Sequence, residues 1–266
     1  MRINKIITIL KRDGYTFSTK RALAWLIGHS PLALKFSFAY YKNYRLVFAP
    51  SMLTYILFAS KSVRNSDITV LEEFIHAGDS VIDVGAHIGS MAIVAAACTG
   101  TTGKVLAFEP VAKFATIIQA NVTKNNLDGI ITVFPFAVGA NTQNVFINDD
   151  VKDDTTNHVA ASGTVVKQVT LDEYTKDIAK VALLKIDVEG YEVEVLRGAS
   201  NTLAKTKVIF IEFYTRNLER LGYNPKEILN HLNTYFNLYI QDTDRSTAFE
   251  YKTDQAYEIN LIGIKK

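Results

Sequence analysis

Val81-Ile82-Asp83-Val84-Gly85-Ala86-His87-Ile88-Gly89 decides the reading of this chain. A short apolar strand, Ser80 to Val84, runs into a glycine turn, and an almost wholly apolar helix, Ser90 to Cys98, follows. Gly85 lets the chain reverse sharply. Ala86 and Gly89 let a ligand and the helix backbone approach, and the new helix presents unpaired N–H groups. Asp83 stands two residues before the first glycine, where it either caps the helix or faces a ligand.

Working outward, strands and helices alternate. Lys104 to Phe108 reads as a second strand, Val111 to Asn125 as an amphipathic helix, and Ile130 to Phe136 as a third strand. Val181 to Ile186 is a fourth strand, Glu189 to Leu203 a helix, and Val208 to Phe213 a fifth strand. Asn224-Pro225-Lys226-Glu227 starts another helix, with Asn as cap and Pro at the first helical position. Asn237 to Gln241 and Tyr257 to Ile264 read as two last strands. This alternation, with apolar strands, predicts an α/β doubly wound, mostly parallel sheet buried on both faces. In such sheets ligands bind at the carboxyl ends of the strands.

Two domains are predicted, a main one over 67–266 and an extension over 1–66. The main one begins with a helix from Asp67 to Ile75 and carries an insertion at about 140–175. The insertion reads as a hairpin-like excursion with a polar tip around Asp149-Asp150 and Asp153-Asp154-Thr155-Thr156-Asn157-His158. In the extension, residues 1–45 read as amphipathic helix and 46–60 as a short strand or hairpin, broken at Pro50-Ser51. Residues 1–45 carry nine Lys or Arg against one acid, a net +8, whereas the rest of the chain is −6. The basic, aromatic segment has three candidate roles: a cap over the site, a homo-oligomer interface, or an interfacial membrane anchor. The one cysteine, Cys98, excludes an intrachain disulfide and reads as a packed thiol. This suits a cytoplasmic protein, with the inner membrane face as the place an anchor would take it.

The glycine turn is not the dinucleotide fingerprint, because His87 and Ser90 stand where the second and third glycines would be. A nicotinamide-dependent oxidoreductase is thereby disfavoured. Asp83 instead offers a carboxylate to a cationic amino-acid moiety, which S-adenosylmethionine carries and NAD lacks. Glu109 ends the second strand, 26 residues after Asp83, where a carboxylate can accept from ribose hydroxyls. The acidic main body argues against a nucleic-acid partner.

With these residues placed, the chain resembles the FkbM-type methyltransferases. The matching blocks include Val81 to Gly89, Gly103 to Pro110, Ala120-Asn121, Ala137-Val138-Gly139, Thr170-Leu171-Asp172, Leu184 to Glu192, Val195 to Ala199 and Ile211-Glu212. The family usually has Asn where this chain has His87. The resemblance implies a class I methyltransferase (Rossmann-like) sheet of order 3-2-1-4-5-7-6, its last strand antiparallel. It also implies S-adenosylmethionine as donor and O-methylation of a sugar, glycan or natural-product hydroxyl. A glycolipid acceptor would suit the membrane anchor. A non-sugar acceptor and a non-catalytic cofactor-binding subunit are the remaining alternatives.

The cofactor-binding candidates are Asp83, Gly85, Ala86, His87 and Gly89 on the first strand and turn. Glu109, Pro110, Ala137 and Asp187 join them. Asp187 at the end of the fourth strand is also the candidate for positioning the acceptor. His158, on the polar insertion, is the candidate general base, and Glu189, on the turn after Asp187, is the third catalytic candidate. Asp187, Glu189, Glu212 and His158 have the chemistry of a Mg²⁺ site. Their spacing is loose, and no metal is expected.

Overall fold

The computed structural model describes residues 17–149, 157–243, 245–253 and 255–266. The expectations for residues 1–16, and for Asp150 and Asp153 to Thr156 at the insertion tip, lie outside the described residues.

Residues 17–28 form helix α1. Strands β1 (Ser37–Tyr41) and β2 (Tyr44–Val47), then helices α2 (Met52–Ala59) and α3 (Asn65–Phe74), complete the extension and enter the main domain. Two expectations are corrected here. The end of the segment read as helix is instead the antiparallel β1–β2 hairpin, with Lys42 at φ 47° in its turn. Its Phe38, Tyr40, Tyr41 and Tyr44 are aromatic strand formers, and that preference prevails over the helical spacing. Most of the segment read as strand is helix α2. Leu53, Thr54, Tyr55, Ile56 and Leu57 are all buried there, so no one-sided apolar period exists to be read.

The main domain runs β3 (Ser80–Val84), α4 (Ser90–Thr99), β4 (Lys104–Phe108), α5 (Ala112–Lys124) and β5 (Ile131–Phe134). A small four-stranded sheet follows: β6 (Ala137–Val138), β7 (Gln143–Asn148), β8 (His158–Ala160) and β9 (Thr164–Val169). Then come α6 (Leu171–Thr175), β10 (Val181–Ile186), α7 (Glu192–Arg197), α8 (Ser200–Ala204) and β11 (Thr206–Tyr214). The chain ends with α9 (Thr215–Arg220), α10 (Pro225–Asn233), β12 (Phe236–Ile240) and β13 (Glu258–Lys265). The single helix expected over Glu189 to Leu203 is therefore two short ones. A side chain at Gly198, between them, would meet the Gly139 carbonyl at 2.0 Å. The glycine lets the insertion's backbone pass but ends the helix.

The large sheet has the order β12-β13-β11-β10-β3-β4-β5. Counting its strands in chain order, it reads 3-2-1-4-5-7-6. β13 is antiparallel to both neighbours and the other pairings are parallel. The chain leaves β3 in one direction and returns to its other side as β10. Between these two strands lies the switch point where such sheets open a crevice. Every residue of β10 is buried, which accounts for its continuous apolar run.

The extension is not a separate globule. Phe38, Leu46, Leu53 and Leu57 share one core with Val81, Ile88 and Met91. Fully buried Asn121 on α5 joins the two parts. Its Oδ1 accepts from the Val47 N–H at 2.7 Å and its Nδ2 donates to the Ile88 carbonyl at 2.8 Å.

Candidate active site

The sheet register brings Val84, Phe108, Phe134 and Ile186 to one level. Beyond that level the three loops are tied together by backbone bonds. Gly85 and Ala86 N–H both donate to the Phe108 carbonyl at 3.0 Å, and Glu109 N–H donates to Phe134 at 3.0 Å. Asp187 N–H donates to Val84 at 3.0 Å. Gly85 has φ +82°, and a Cβ there would lie 1.9 Å from the Asp187 carbonyl oxygen. Only glycine fits, on grounds of both conformation and space.

A crevice of about 960 Å³, counted out to its mouth, opens above these loops. Its floor is Gly85, Ala86 and His87. One wall is Phe108, Glu109, Pro110 and Val111; the opposite wall is Lys185, Asp187, Val188, Glu189 and Tyr191. The small sheet contributes Phe136, Ala137, Ile147 and His158, and the extension contributes Leu53 and Arg64. Of the candidates, Gly85, Ala86, His87, Glu109, Pro110, Ala137, His158, Asp187 and Glu189 line it. Asp83 and Gly89 are not among the lining residues. Asp83 is buried under the floor, 3.4 Å from Lys185 Nζ. Gly89, at φ +78°, begins α4, and its missing side chain makes room for Ile118.

His87 adopts φ 53°, a left-handed conformation in which Asn, Asp and His are enriched. His therefore replaces Asn here without loss of the turn. Its ring packs on Phe114, with centroids 4.1 Å apart, and its backbone N–H donates to Glu109 Oε2 at 2.8 Å. Glu109 Oε1 accepts from Val111 N–H at 3.0 Å. Each carboxylate oxygen keeps a lone pair for a further donor such as a ribose hydroxyl. Burial pushes this carboxyl up to about 7, against the pull of those two backbone bonds.

Lys185 bridges Asp83 and Asp187, at 3.4 and 3.2 Å. Burial alone would raise Asp187; Lys185 and Arg64 overcome it and hold the carboxyl down at about 2. Asp187 is thus held as an ionised carboxylate and is a weak base. Burial raises Glu212 well above the usual carboxylate range, reinforced by Glu189, Asp187 and Glu192. Donor oxygens of Asp187, Glu189 and Glu212 lie within 4.8 Å of one another. The sequence spacing of these three gave no hint of that closeness.

Lys185, Arg64, Phe136 and Tyr191 are site residues that the sequence reading missed. Lys185 left one signal, a lone cation in an apolar strand, since a buried lysine needs a partner. Arg64 left none, lying far along the chain from every block of the site.

An adenosyl group with an amino-acid tail fits this lining. The Gly85 cradle would be filled by any Cβ, Glu109 has spare acceptor capacity, and Phe108, Val111 and Phe136 give apolar walls. The sequence profile of the Methyltransferase FkbM domain matches residues 83–245. The hexuronic acid methyltransferase AglP of Haloferax volcanii is 28% identical over 167 residues, covering 60% of this chain and 64% of that protein. The chain thus matches less than two thirds of that relative's length. Among solved structures, the methyltransferase FkbM from Methylobacillus flagellatus KT aligns with TM-score 0.47 and 17% identity, over 79% of this chain and 54% of that one. The O-methyltransferase from Bacillus cereus in complex with S-adenosylhomocysteine aligns with TM-score 0.45 and 13% identity, over 76% of this chain and 80% of that one. The chain belongs to the FkbM-domain methyltransferase family, and its methyl donor is S-adenosylmethionine.

Proposed function

We propose that the protein methylates a hydroxyl oxygen of a sugar, with a hexuronic acid as the leading acceptor. The observation that carries this reading is one crevice with two unlike walls. Glu109 and the Gly85 turn form the side suited to an adenosyl group, Asp187 and Glu189 lie on the wall opposite Glu109, and His158 enters from the small sheet. When bound, the donor supplies a methyl group already activated on a sulfonium. What remains for the chain is to orient an oxygen and accept its proton. His158 is the proposed base. Asp187, held ionised, and Glu189 are proposed to position the hydroxyl. Arg64 Nε is buried without a hydrogen-bond partner, and Arg64 lines the crevice. A guanidinium edge suits a carboxylate, which the donor's tail and a hexuronic acid both carry.

The relative's substrate class supports the sugar assignment. The test is calorimetric titration with S-adenosylhomocysteine, with NAD as control, followed by transfer from labelled donor to glucuronic-acid-containing and neutral glycans. Label on an oxygen of the uronic glycan is the expected result. Binding of NAD alone, or label only on nitrogen, would overturn the reading.

A second proposal concerns where the acceptor is met. Six of the eight large apolar side chains exposed among the described residues are Leu23, Trp25, Leu26, Leu32, Leu34 and Phe36. Lys20, Arg21 and Lys35 accompany them. No helix among the described residues is long and apolar enough to cross a membrane. The cluster supports peripheral contact with an anionic membrane bearing a lipid-linked glycan. Co-sedimentation with phosphatidylserine vesicles at low salt is expected, and its absence would end this idea.

A further inference from the structure

The chain places three carboxylates from two strand ends at one point. Asp187 and Glu189 follow β10, and Glu212 lies within the neighbouring β11. One oxygen from each falls within 4.8 Å of the other two. Neighbouring groups fix this arrangement. Glu189 has φ 55°, an uncommon conformation for a residue with a side chain. Asn217 Nδ2 donates to its Oε2 at 2.8 Å, and an Arg220 guanidinium nitrogen donates to its carbonyl at 2.8 Å. Glu192 Oε1 accepts from the Val188 and Gly190 N–H groups and closes the turn from beneath.

Glu212 supplies an independent observation. It is 6% exposed, and its Oε2 has no hydrogen-bond partner. Buried carboxylate oxygens are otherwise almost always satisfied. Of the nearby cations, Lys185 pairs with Asp83 and with Asp187 of the cluster, and Arg64 donates to Asp67 at 2.9 Å; Glu212 Oε2 receives a hydrogen bond from neither. A divalent cation set between the three carboxylates would give this oxygen a partner and offset their mutual repulsion.

We propose that Asp187, Glu189 and Glu212 form a binding site for one divalent cation at the acceptor side of the crevice. An all-oxygen carboxylate set selects a hard ion such as Mg²⁺ or Mn²⁺ over zinc or copper. Asp187 and Glu189 also line the crevice, so a hydroxyl-bearing ligand there can complete the coordination. This last point, though not the site itself, rests on the sugar O-methyltransferase reading.

The test uses the full chain, freed of metal by chelator, with Mn²⁺ as probe. Electron paramagnetic resonance of free Mn²⁺ measures binding, and thermal unfolding with and without the ion gives a second readout. One site per chain is expected, with a rise in melting temperature on adding the ion. Glu212→Gln should bind Mn²⁺ at least tenfold more weakly and lose that rise, whereas Glu173→Gln, on the exposed face of α6, should keep both. Should Glu212→Gln fail to fold, Asp187→Asn takes its place, with the same expectation. No Mn²⁺ bound at millimolar concentration, or binding equal in wild type and in the site variants, overturns the site. Titration of the same samples with S-adenosylhomocysteine is independent of the ion. A failed metal site with intact titration therefore leaves the methyltransferase reading standing, and the reverse result separates the two as cleanly.

Discussion

Lys185 holds its ammonium 3.4 Å from the carboxylate of Asp83, and both side chains are buried beneath the glycine turn. The same ammonium reaches up to Asp187, 3.2 Å away on the crevice wall. One lysine therefore couples the first strand of the sheet to the fourth at the point where the crevice opens. Removing one partner of a buried pair leaves the other charge uncompensated, typically at about 3–5 kcal/mol. Lys185→Met is expected to lose that much in urea unfolding. Adding Asp83→Asn should restore part of it; two costs that merely sum would refute the coupling.

Gly85 has a more local role. Alanine there combines φ +82° with a Cβ 1.9 Å from the Asp187 carbonyl oxygen, so the turn and the β10 loop must move apart. Gly85→Ala should weaken S-adenosylhomocysteine binding by at least tenfold and cost about 1–3 kcal/mol of stability. Calorimetry and unfolding read the two effects separately, and an unchanged dissociation constant would refute the cradle.

Glu109 ties stability to pH. Its folded carboxyl titrates at about 7, above the ordinary 4.5. The folded chain therefore holds this proton where the unfolded chain has released it. Its contribution is complete below pH 4.5 and is lost as the pH rises through 7, on the order of 3 kcal/mol in all. Glu109→Gln cannot titrate and should flatten this part of the curve. Melting profiles with equal slopes in the two proteins between pH 5 and 7.5 would count against a buried, proton-holding Glu109.

The two sides of the crevice should separate kinetically. His158→Ala is expected to lower kcat by about 100-fold or more, with S-adenosylhomocysteine binding unchanged. Asp187→Asn should raise the acceptor KM as well, because it removes a positioning charge. Wild-type turnover in both variants would leave the proposed roles without support.

Asn121 tests the joint between the extension and the site. Its side chain satisfies the Val47 N–H and the Ile88 carbonyl at once. Asn121→Leu leaves both buried and unpaired, at about 1–3 kcal/mol each. Unfolding near wild type would mean that water or a shift of β2 replaces them.

The parts of the fold legible in the sequence are those where burial has a simple pattern. β10 reads as a strand because both of its faces are covered, and Asn224-Pro225 marks a helix start that forms as expected, with Asn224 accepting from the Lys226 N–H. α2 was illegible for the opposite reason: an apolar run covered on all sides carries no period. In the site, Glu109 and Asp187 sit at strand ends and line the crevice, as their position suggests. Asp83 sits at such an end too, yet its side chain points beneath the floor. Neither that alternation nor the meeting of Glu189 with Glu212 can be fixed before the strands are laid side by side.

The β11–β13 pairing has a consequence for how this molecule can be divided. The segment shared with the family ends at residue 245, whereas β13, which pairs with β11 from Val208 to Tyr214, begins at Glu258. Leu53 and Arg64 of the crevice lie before the segment begins. Excised alone, residues 83–245 would bare one edge of the central sheet and lose part of the ligand cavity. The stretch that the family profile matches is thus shorter than what must fold together, and a minimal expressible fragment has to be cut by strand pairing.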